Sequence, residues 1–301
     1  MKTVLITGAT DGIGKQTAFN IAEYKHHVII VGRDKTKCKL VCDEISRKSF
    51  NDNIEYMVCD LSLISNVKQL SSDIKNKFSK IDILINNVGA LFVNRQETLE
   101  GFEKTFALNH LSPFTLTLEL LDFLNGNNNS RIINVASAAH FNVIDKSINE
   151  KNNRTFFENL FFKTDFNIND IQAKNNYKGA RQYSCSKLMN ILFTYKLSTD
   201  YLKDTSTTAN CLHPGFVASK FGHNNSGFFK KFIKLGQKVQ AVSLIEGARA
   251  STFTALSEDL DEVSGKYFDE DCSLIKSSNL SYNKDLQDAL WDQSQYLINN
   301  C

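Results

Sequence analysis

The chain is poor in proline, with only Pro113 and Pro214 among 301 residues, and no Pro/Gly/Ser-rich stretch or long charge run divides it. Two small domains joined by a linker are therefore excluded in favour of one large domain over residues 1–301. An excess of charge of one sign is lacking too. Lys and Arg number 35 against 33 Asp and Glu, so nothing in the overall balance asks for nucleic acid or a strongly acidic partner. No apolar run approaches the roughly 20 residues needed to cross a bilayer. The sequence reaches a glycine-rich turn directly after Met1-Lys2-Thr3-Val4-Leu5-Ile6-Thr7, so no signal or transit peptide is expected. Seven cysteines, an odd count without framework-like spacing, argue against a disulfide scaffold and for a reducing, cytoplasmic setting. Cys38 and Cys42 stand four apart, but no nearby His or Cys completes a metal site, and no metal is expected.

What is present is a hydrophobic content of 42%, enough for a full core, arranged as short β-branched runs alternating with longer amphipathic stretches. Strands are expected at Val4–Ile6, Val28–Val31, Glu55–Cys59, Ile81–Ile85, Ile132–Val135, Thr208–Leu212 and Lys266–Phe268. Between them fall helices from Ile13, at Lys37–Arg47, at Val67–Phe78, from Phe102 to Leu124 with Pro113 near a helix start, from Ala180 to Tyr201, at Phe228–Lys238 and at Ile245–Leu256. Parallel strands need crossovers, and crossovers are right-handed, so this rhythm predicts an α/β doubly wound parallel sheet of about seven strands. The polar, Asn-rich residues 138–180, interrupted by Phe156-Phe157 and Phe161-Phe162, are too long for an ordinary loop and are expected to fold over the sheet edge as an insertion.

Thr7-Gly8-Ala9-Thr10-Asp11-Gly12-Ile13-Gly14 follows the first strand and opens the first helix, the context a dinucleotide-binding turn requires. Glycines let the backbone turn sharply and let a pyrophosphate approach the amides at the helix N-terminus. The spacing is Gly-x-x-x-Gly-x-Gly, and a glycine-rich turn without ligand is the bland alternative. The second strand ends Val31-Gly32-Arg33-Asp34. Gly32 stands where a carboxylate would hold a ribose 2′-hydroxyl, and the Arg33 guanidinium suits a 2′-phosphate, which favours NADP(H) over NAD(H). Asp34 is either a ribose ligand or the cap of the next helix.

Tyr183 and Lys187 are four apart at the start of a long helix and project from one face. An ammonium and a positive nicotinamide beside a phenol would stabilise its phenolate. Ser137 lies just beyond the fifth strand, at the carboxyl edge where open α/β folds bind ligands, and its hydroxyl could donate to an oxygen that turns negative in reaction. Asn109 lies in the helix before that strand.

With Asp60-Leu61 after the third strand, Asn86-Asn87-Val88-Gly89 after the fourth, and His213-Pro214-Gly215, these motifs resemble the short-chain dehydrogenase/reductase superfamily over nearly the whole chain. The resemblance implies a Rossmann fold and an NADP(H)-dependent oxidoreductase with Asn109, Ser137, Tyr183 and Lys187 as catalytic tetrad. Tyr183 would be proton donor in reduction and acceptor in oxidation, Lys187 the holder of the nicotinamide ribose, Ser137 the substrate-oxygen donor and Asn109 the anchor of a relay water. Gly8, Thr10, Asp11, Gly12, Ile13 and Gly14 would form the phosphate turn, with Arg33 beside it. The resemblance makes Asp60 with Leu61 the adenine contact, Asn87 and Gly89 the adenosine-ribose wall, and Pro214, Gly215, Val217 and Ser219 the nicotinamide clamp. Val88 and Ser219 depart from the usual Ala and Thr and would shift affinity.

Ala138-Ala139-His140, the insertion and the Lys187–Thr194 run most resemble the retinol-dehydrogenase-like and WW-domain-oxidoreductase-like branch, with neither a WW domain nor an N-terminal anchor expected. A lipophilic aldehyde, ketone or alcohol, retinoid- or steroid-like, is the implied substrate class, and pairing of two copies through the Asn109 and Tyr183 helices the implied assembly. A cofactor-binding scaffold or redox sensor on the same fold is the alternative. Within 216–243, Phe228, Phe229, Phe232, Ile233 and Leu235 oppose Lys230, Lys231, Lys234 and Lys238 on a helical wheel. This suits a substrate-covering helix first, then a peripheral membrane contact or a subunit contact. His140 is expected to pack or hydrogen-bond locally, and His213 to order the turn before Pro214.

Overall fold

A computed structural model describes residues 1–144, 163–215 and 243–301. Residues 145–162, which hold the paired phenylalanines, and 216–242, which hold Val217, Ser219 and the expected helix at Phe228–Lys238, lie outside the described residues.

The first half alternates as its sequence predicts: β1 (Thr3–Thr7), α1 (Gly12–Glu23), β2 (His27–Gly32), α2 (Lys35–Ser49), β3 (Ile54–Val58), α3 (Ile64–Lys77) and β4 (Ile83–Asn86). A helical run follows in three contiguous pieces, α4 (Lys104–Phe106), a π turn (Ala107–Leu111) and α5 (Ser112–Asn125), before β5 (Arg131–Val135). The short strands β6 (Val143–Ile144) and β7 (Thr164–Asp165) pair with each other within the insertion. The second half contains α6 (Gly179–Lys196), continued by a second π turn (Leu197–Tyr201), then β8 (Thr208–Leu212), α7 (Leu244–Leu256), β9 (Tyr267–Phe268), β10 (Leu274–Ile275) and α8 (Lys284–Asn299).

The main sheet has eight strands in the order β10-β9-β8-β5-β4-β1-β2-β3. Every neighbouring pair is parallel except β9 with β10. The eighth strand is the two-residue β10, too short for a periodic signal. Alternation splits each strand between two cores. Leu5, Ile29, Leu84 and Ile132 face α3, α5 and α6, whereas Val4, Ile6, Ile30, Ile83 and Ile85 face α1, α2 and α7. The chain winds outward from β1 through β2 to β3, then returns to the other side of β1 for β4. The crevice at the carboxyl ends of β1 and β4 is therefore the topological switch point, where such sheets bind ligands.

α8 had no counterpart among the helices expected from the sequence. Its inward stripe is Gln287, Leu290, Trp291, Ser294 and Ile298, at helical spacing but two-fifths polar, which blurs the apolar period. Trp291 meets Phe114 of α5 at 5.1 Å and Phe193 of α6 at 5.8 Å between ring centroids, and stacks on Tyr201 at 4.1 Å. The C-terminal helix thus covers the outer side of the α5 and α6 pair.

Candidate active site

The turn after β1 is built from what its residues can and cannot do. Gly8 and Gly12 take φ of +65° and +54°, a region other residues enter at a cost. A Cβ on Gly14 would lie 2.3 Å from Asn87 Nδ2 and 2.6 Å from Gly8 O, so no side chain fits there. Asn87 reaches across from β4 and donates to Thr7 O at 2.8 Å and Gly8 O at 3.3 Å. Thr7 Oγ1 in turn accepts from the Asn87 and Val88 amides at 3.0 and 3.1 Å. Asn87 therefore fastens the turn to the sheet. The cavity of about 180 Å³ beside it is walled instead by Gly8, Thr10, Arg33, Asp60, Leu61 and Gly89.

Asp11 caps α1, accepting from Gly12 N at 2.9 Å, and pairs with Lys37 at 2.9 Å. Ile13 follows in the first turn of that helix. A Cβ on Gly32 would come within 2.4 Å of Thr10 Cγ2 and 2.8 Å of Cys38 Sγ, so a larger side chain there would require Thr10 and Cys38 to shift. Asp34 Oδ1 accepts from Lys37 N at 2.9 Å, which makes Asp34 the N-cap of α2. Of the two roles open to it, capping is the one it performs. Asp60 accepts from the amide and hydroxyl of Ser62 at 3.0 and 2.8 Å, which fixes the loop after β3. Gly215 has φ +71° and donates its amide to His213 Nδ1 at 3.2 Å, so His213 orders the turn after Pro214.

Asn109, Ser137, Tyr183 and Lys187 converge at the mouth of this crevice. Asn109 is fully buried on the π turn. Its Oδ1 accepts from Ala90 N at 2.9 Å, and its Nδ2 donates to Ala90 O at 3.0 Å and to Ser186 Oγ at 2.9 Å. Lys187 Nζ donates to Val135 O at 2.8 Å and stands 5.7 Å from the centre of the Tyr183 ring. A Cβ on Gly89 would approach Lys187 Nζ to 3.1 Å, so the missing side chain keeps a path open past the ammonium. Ser137 bonds the Tyr183 hydroxyl. A bare passage over Gly89, amides at the start of α1 and a free face of Lys187 fit a nicotinamide dinucleotide laid across the switch point.

Residues 2–147 match the family described as short chain dehydrogenase. Human polyprenol dehydrogenase is 32% identical over 97% of this chain and 84% of its own length. Mouse retinol dehydrogenase 12 is 34% identical over 99% and 86%.

The chain belongs to the short-chain dehydrogenase/reductase family.

Solved structures agree on the fold. An uncharacterised protein from Mycobacterium paratuberculosis superposes with a TM-score of 0.74 at 24% identity, over 99% of this chain and 94% of its own. The NADP complex of Pseudomonas aeruginosa RhlG does so at 0.66 and 19%, over 89% and 94%. As a retinol-dehydrogenase-like member of the family, this protein is an NAD(P)-dependent oxidoreductase acting on CH–OH donors.

In such an enzyme the cofactor exchanges the hydride, and the protein handles the proton. Burial among dense protein atoms raises the Tyr183 pKa to about 12, with the Ser137 hydrogen bond acting against the rise. The phenolate stabilisation expected from Lys187 does not figure among the causes acting on Tyr183, so desolvation sets the direction in the protein alone. Tyr183 stands as a protonated phenol, the form that can donate to a carbonyl oxygen. Burial also lowers Lys187 to about 8, and its one protein partner leaves ammonium donors for hydroxyl groups on a ligand.

Two contributors were not singled out in the sequence. Ser186 sits inside the quoted Tyr183–Lys187 motif, yet only the packing of α6 against the π turn reveals that it receives Asn109 and donates to Tyr183 O at 2.7 Å. Pro113 carries no N–H. The Ser112 amide is already drawn to Ala107 O by the π turn. Residue 113 therefore supplies no donor to Asn109 O in an α register or to Leu108 O in a π register. The sequence signal was a proline four residues after an asparagine, visible but unread.

Among the described residues no helix is long and apolar enough to cross a membrane.

Proposed function

We propose that this protein is an NADP(H)-dependent oxidoreductase that interconverts a lipophilic aldehyde or ketone with its alcohol, with Tyr183 as proton donor in reduction. The observation that carries this reading is the meeting of Ser137, Tyr183 and Lys187 at the open edge of a glycine-walled cleft, with Asn109 held behind them by Ala90 and Ser186. Ser137 steadies the substrate oxygen as charge builds on it, Tyr183 delivers the proton, Lys187 holds the cofactor ribose, and the Asn109 backbone passes a replacement proton through water. Relatives named for retinol and polyprenol support an extended apolar substrate.

The preference for NADP(H) rests on charge. Position 32 carries glycine and no carboxylate, and Asp34 is engaged in capping α2, while Arg33 is exposed on the cavity wall. A guanidinium facing a 2′-phosphate gives a charge-assisted, bidentate contact. All seven cysteines are free and five of them buried, which supports a reducing, cytoplasmic setting. We further propose that the chain does not pair through α5 and α6, because α8 occupies that side.

The test is NADPH and NADH oxidation against a panel of aldehydes, ketones and quinones, with Tyr183→Phe as control. Preferential NADPH turnover of long apolar aldehydes, lost in the variant, is the expected result. NADH preferred over NADPH overturns the cofactor reading, and equal turnover by the variant overturns the role of Tyr183.

A further inference from the structure

His140 is wholly buried three residues beyond Ser137, at the end of the catalytic strand, and its ring has a partner on each nitrogen. Nδ1 lies 2.7 Å from Ser137 O, and Nε2 lies 3.1 Å from the Ser278 amide nitrogen. A carbonyl can only accept and an amide N–H can only donate. The ring must therefore carry its proton on Nδ1 and leave Nε2 bare, a neutral imidazole of one defined tautomer. The Tyr267 hydroxyl stands 3.4 Å from Nδ1, and the rings of Phe141 and Tyr267 enclose the imidazole at 3.9 and 5.0 Å between centroids.

Neither end of this bridge is loose. Ser137 O also accepts from His140 N at 3.1 Å, and Ser137 Oγ accepts from Ala139 N at 3.2 Å, so the backbone around the catalytic hydroxyl is tied down from both sides. The Ser278 end is anchored to the Tyr183 helix itself. Ser277 Oγ pairs with Tyr195 Oη of α6 at 2.7 Å and with Ser281 Oγ at 2.6 Å, and Ser281 Oγ donates to Ser278 O at 2.6 Å. A closed ring of contacts results: α6, Ser277, Ser278, His140, Ser137, and back to α6 through Tyr183.

We propose that His140 is a positioning residue for the reaction, a strut between Ser278 and Ser137 that holds the Ser137 hydroxyl on the substrate oxygen and works only as the neutral Nδ1–H tautomer. It rests on the reading of Ser137 as the group that steadies that oxygen. The imidazole meets the Ser137 carbonyl, not its hydroxyl, and acts through the backbone. Catalytic geometry is sensitive on the scale of an ångström, and removing the strut leaves the Ser137 carbonyl with only the residue-140 amide at 3.1 Å, which loosens the hydroxyl it carries.

The test uses the full chain with NADPH and all-trans-retinaldehyde, comparing S137A, H140F, H140Q and the S137A/H140F double variant. Phe keeps the stacking against Phe141 and Tyr267 but removes both hydrogen bonds, whereas Gln retains one donor and one acceptor. H140F is expected to lower kcat about 10- to 100-fold with the KM for NADPH unchanged, H140Q to recover part of the loss, and the double variant to be no slower than S137A alone. A normal kcat in H140F beside an impaired S137A overturns the strut, as do losses that multiply in the double variant. An unimpaired S137A overturns the reading of Ser137 and the strut with it. Nitrogen-15 NMR of the wild-type imidazole tests the tautomer directly, even if H140F fails to fold: an Nδ1–H signal is expected, and an Nε2–H tautomer or an imidazolium at neutral pH overturns the proposal.

Discussion

Asn109 and Ser186, 77 residues apart, share a 2.9 Å hydrogen bond that joins the π turn to the Tyr183 helix. Ser186 accepts from Asn109 and donates to the carbonyl of Tyr183, so one hydroxyl sets the spacing between the asparagine proposed to anchor a relay and the tyrosine proposed as acid. Ser186→Ala removes that link and leaves a buried amide hydrogen of Asn109 unmatched, at a cost of about 1–3 kcal/mol. A lower midpoint in thermal melts and a kcat reduced about 10-fold, with the NADPH KM unchanged, are the expected outcomes.

Pro113→Ala restores an N–H where the helix now has none. The new donor can close on Asn109 O or Leu108 O and compete with a water for the same lone pair. A kcat about 10-fold lower is expected, in keeping with loss of one proton-transfer step, while circular dichroism shows helix content equal to or above that of the parent. Steady-state kinetics with an unchanged kcat would mean that the relay does not pass through this carbonyl.

Arg33→Ser removes the guanidinium from the cavity wall and leaves the α2 cap intact. The KM for NADPH is expected to rise about 10- to 100-fold, the equivalent of one charged hydrogen-bonding contact, with the KM for NADH unaffected. Equal effects on both cofactors would place Arg33 outside the 2′-phosphate contact.

His110 gives the fold a sensitivity to acid. It is fully buried beside Asn109, bonds Ser294 of α8 at 2.8 Å, and burial lowers its pKa from 6.5 to about 3. The folded state thus resists a proton that the unfolded chain accepts below pH 6.5. The stability is fully present above that pH and declines by roughly 1.4 kcal/mol per pH unit as pH falls towards 3. Urea melts at pH 7, 6, 5 and 4 measure this, and His110→Gln should flatten the part of the slope that is due to this residue.

Trp291→Ala opens the aromatic cluster between α5, α6 and α8. A loss of about 3–5 kcal/mol is expected for a buried Trp. Light scattering should find the parent chain monomeric at micromolar concentration. A stable dimer contacting α5 and α6 would require α8 to leave.

The sequence was most legible where backbone demand and chemistry coincide. Gly8, Gly12 and Gly14 are glycine because of positive φ or absent space, and the same three residues mark the turn expected to take phosphate. Tyr183 and Lys187 could be placed on one face because α6 is long and begins close to where its pattern starts. The strand rhythm was most readable in β1, β2, β4 and β5, which are buried on both faces and written largely in Val, Ile and Leu. Legibility failed where a role depends on contacts distant in sequence. Asn87 resembled a wall of the cofactor site, yet its amide is directed to Thr7 and Gly8, a partnership formed only by the β1–β4 pairing. The Asp34 carboxylate was ambiguous because capping and ribose binding require the same side chain at the same position, and only its bond to Lys37 N distinguishes them. α8 escaped notice because Gln287 and Ser294 interrupt its apolar stripe, each to satisfy a buried partner, Ser281 O and His110 respectively.

The contact from Ser278 to His140 spans 138 positions, and its timing has a consequence for biosynthesis. Strand β5 and the Tyr183 helix leave the ribosome well before Ser278 does, so a nascent chain can assemble much of its sheet while Ser137, on the proposed role of His140, still lacks its brace. Competence is then the last property acquired during translation.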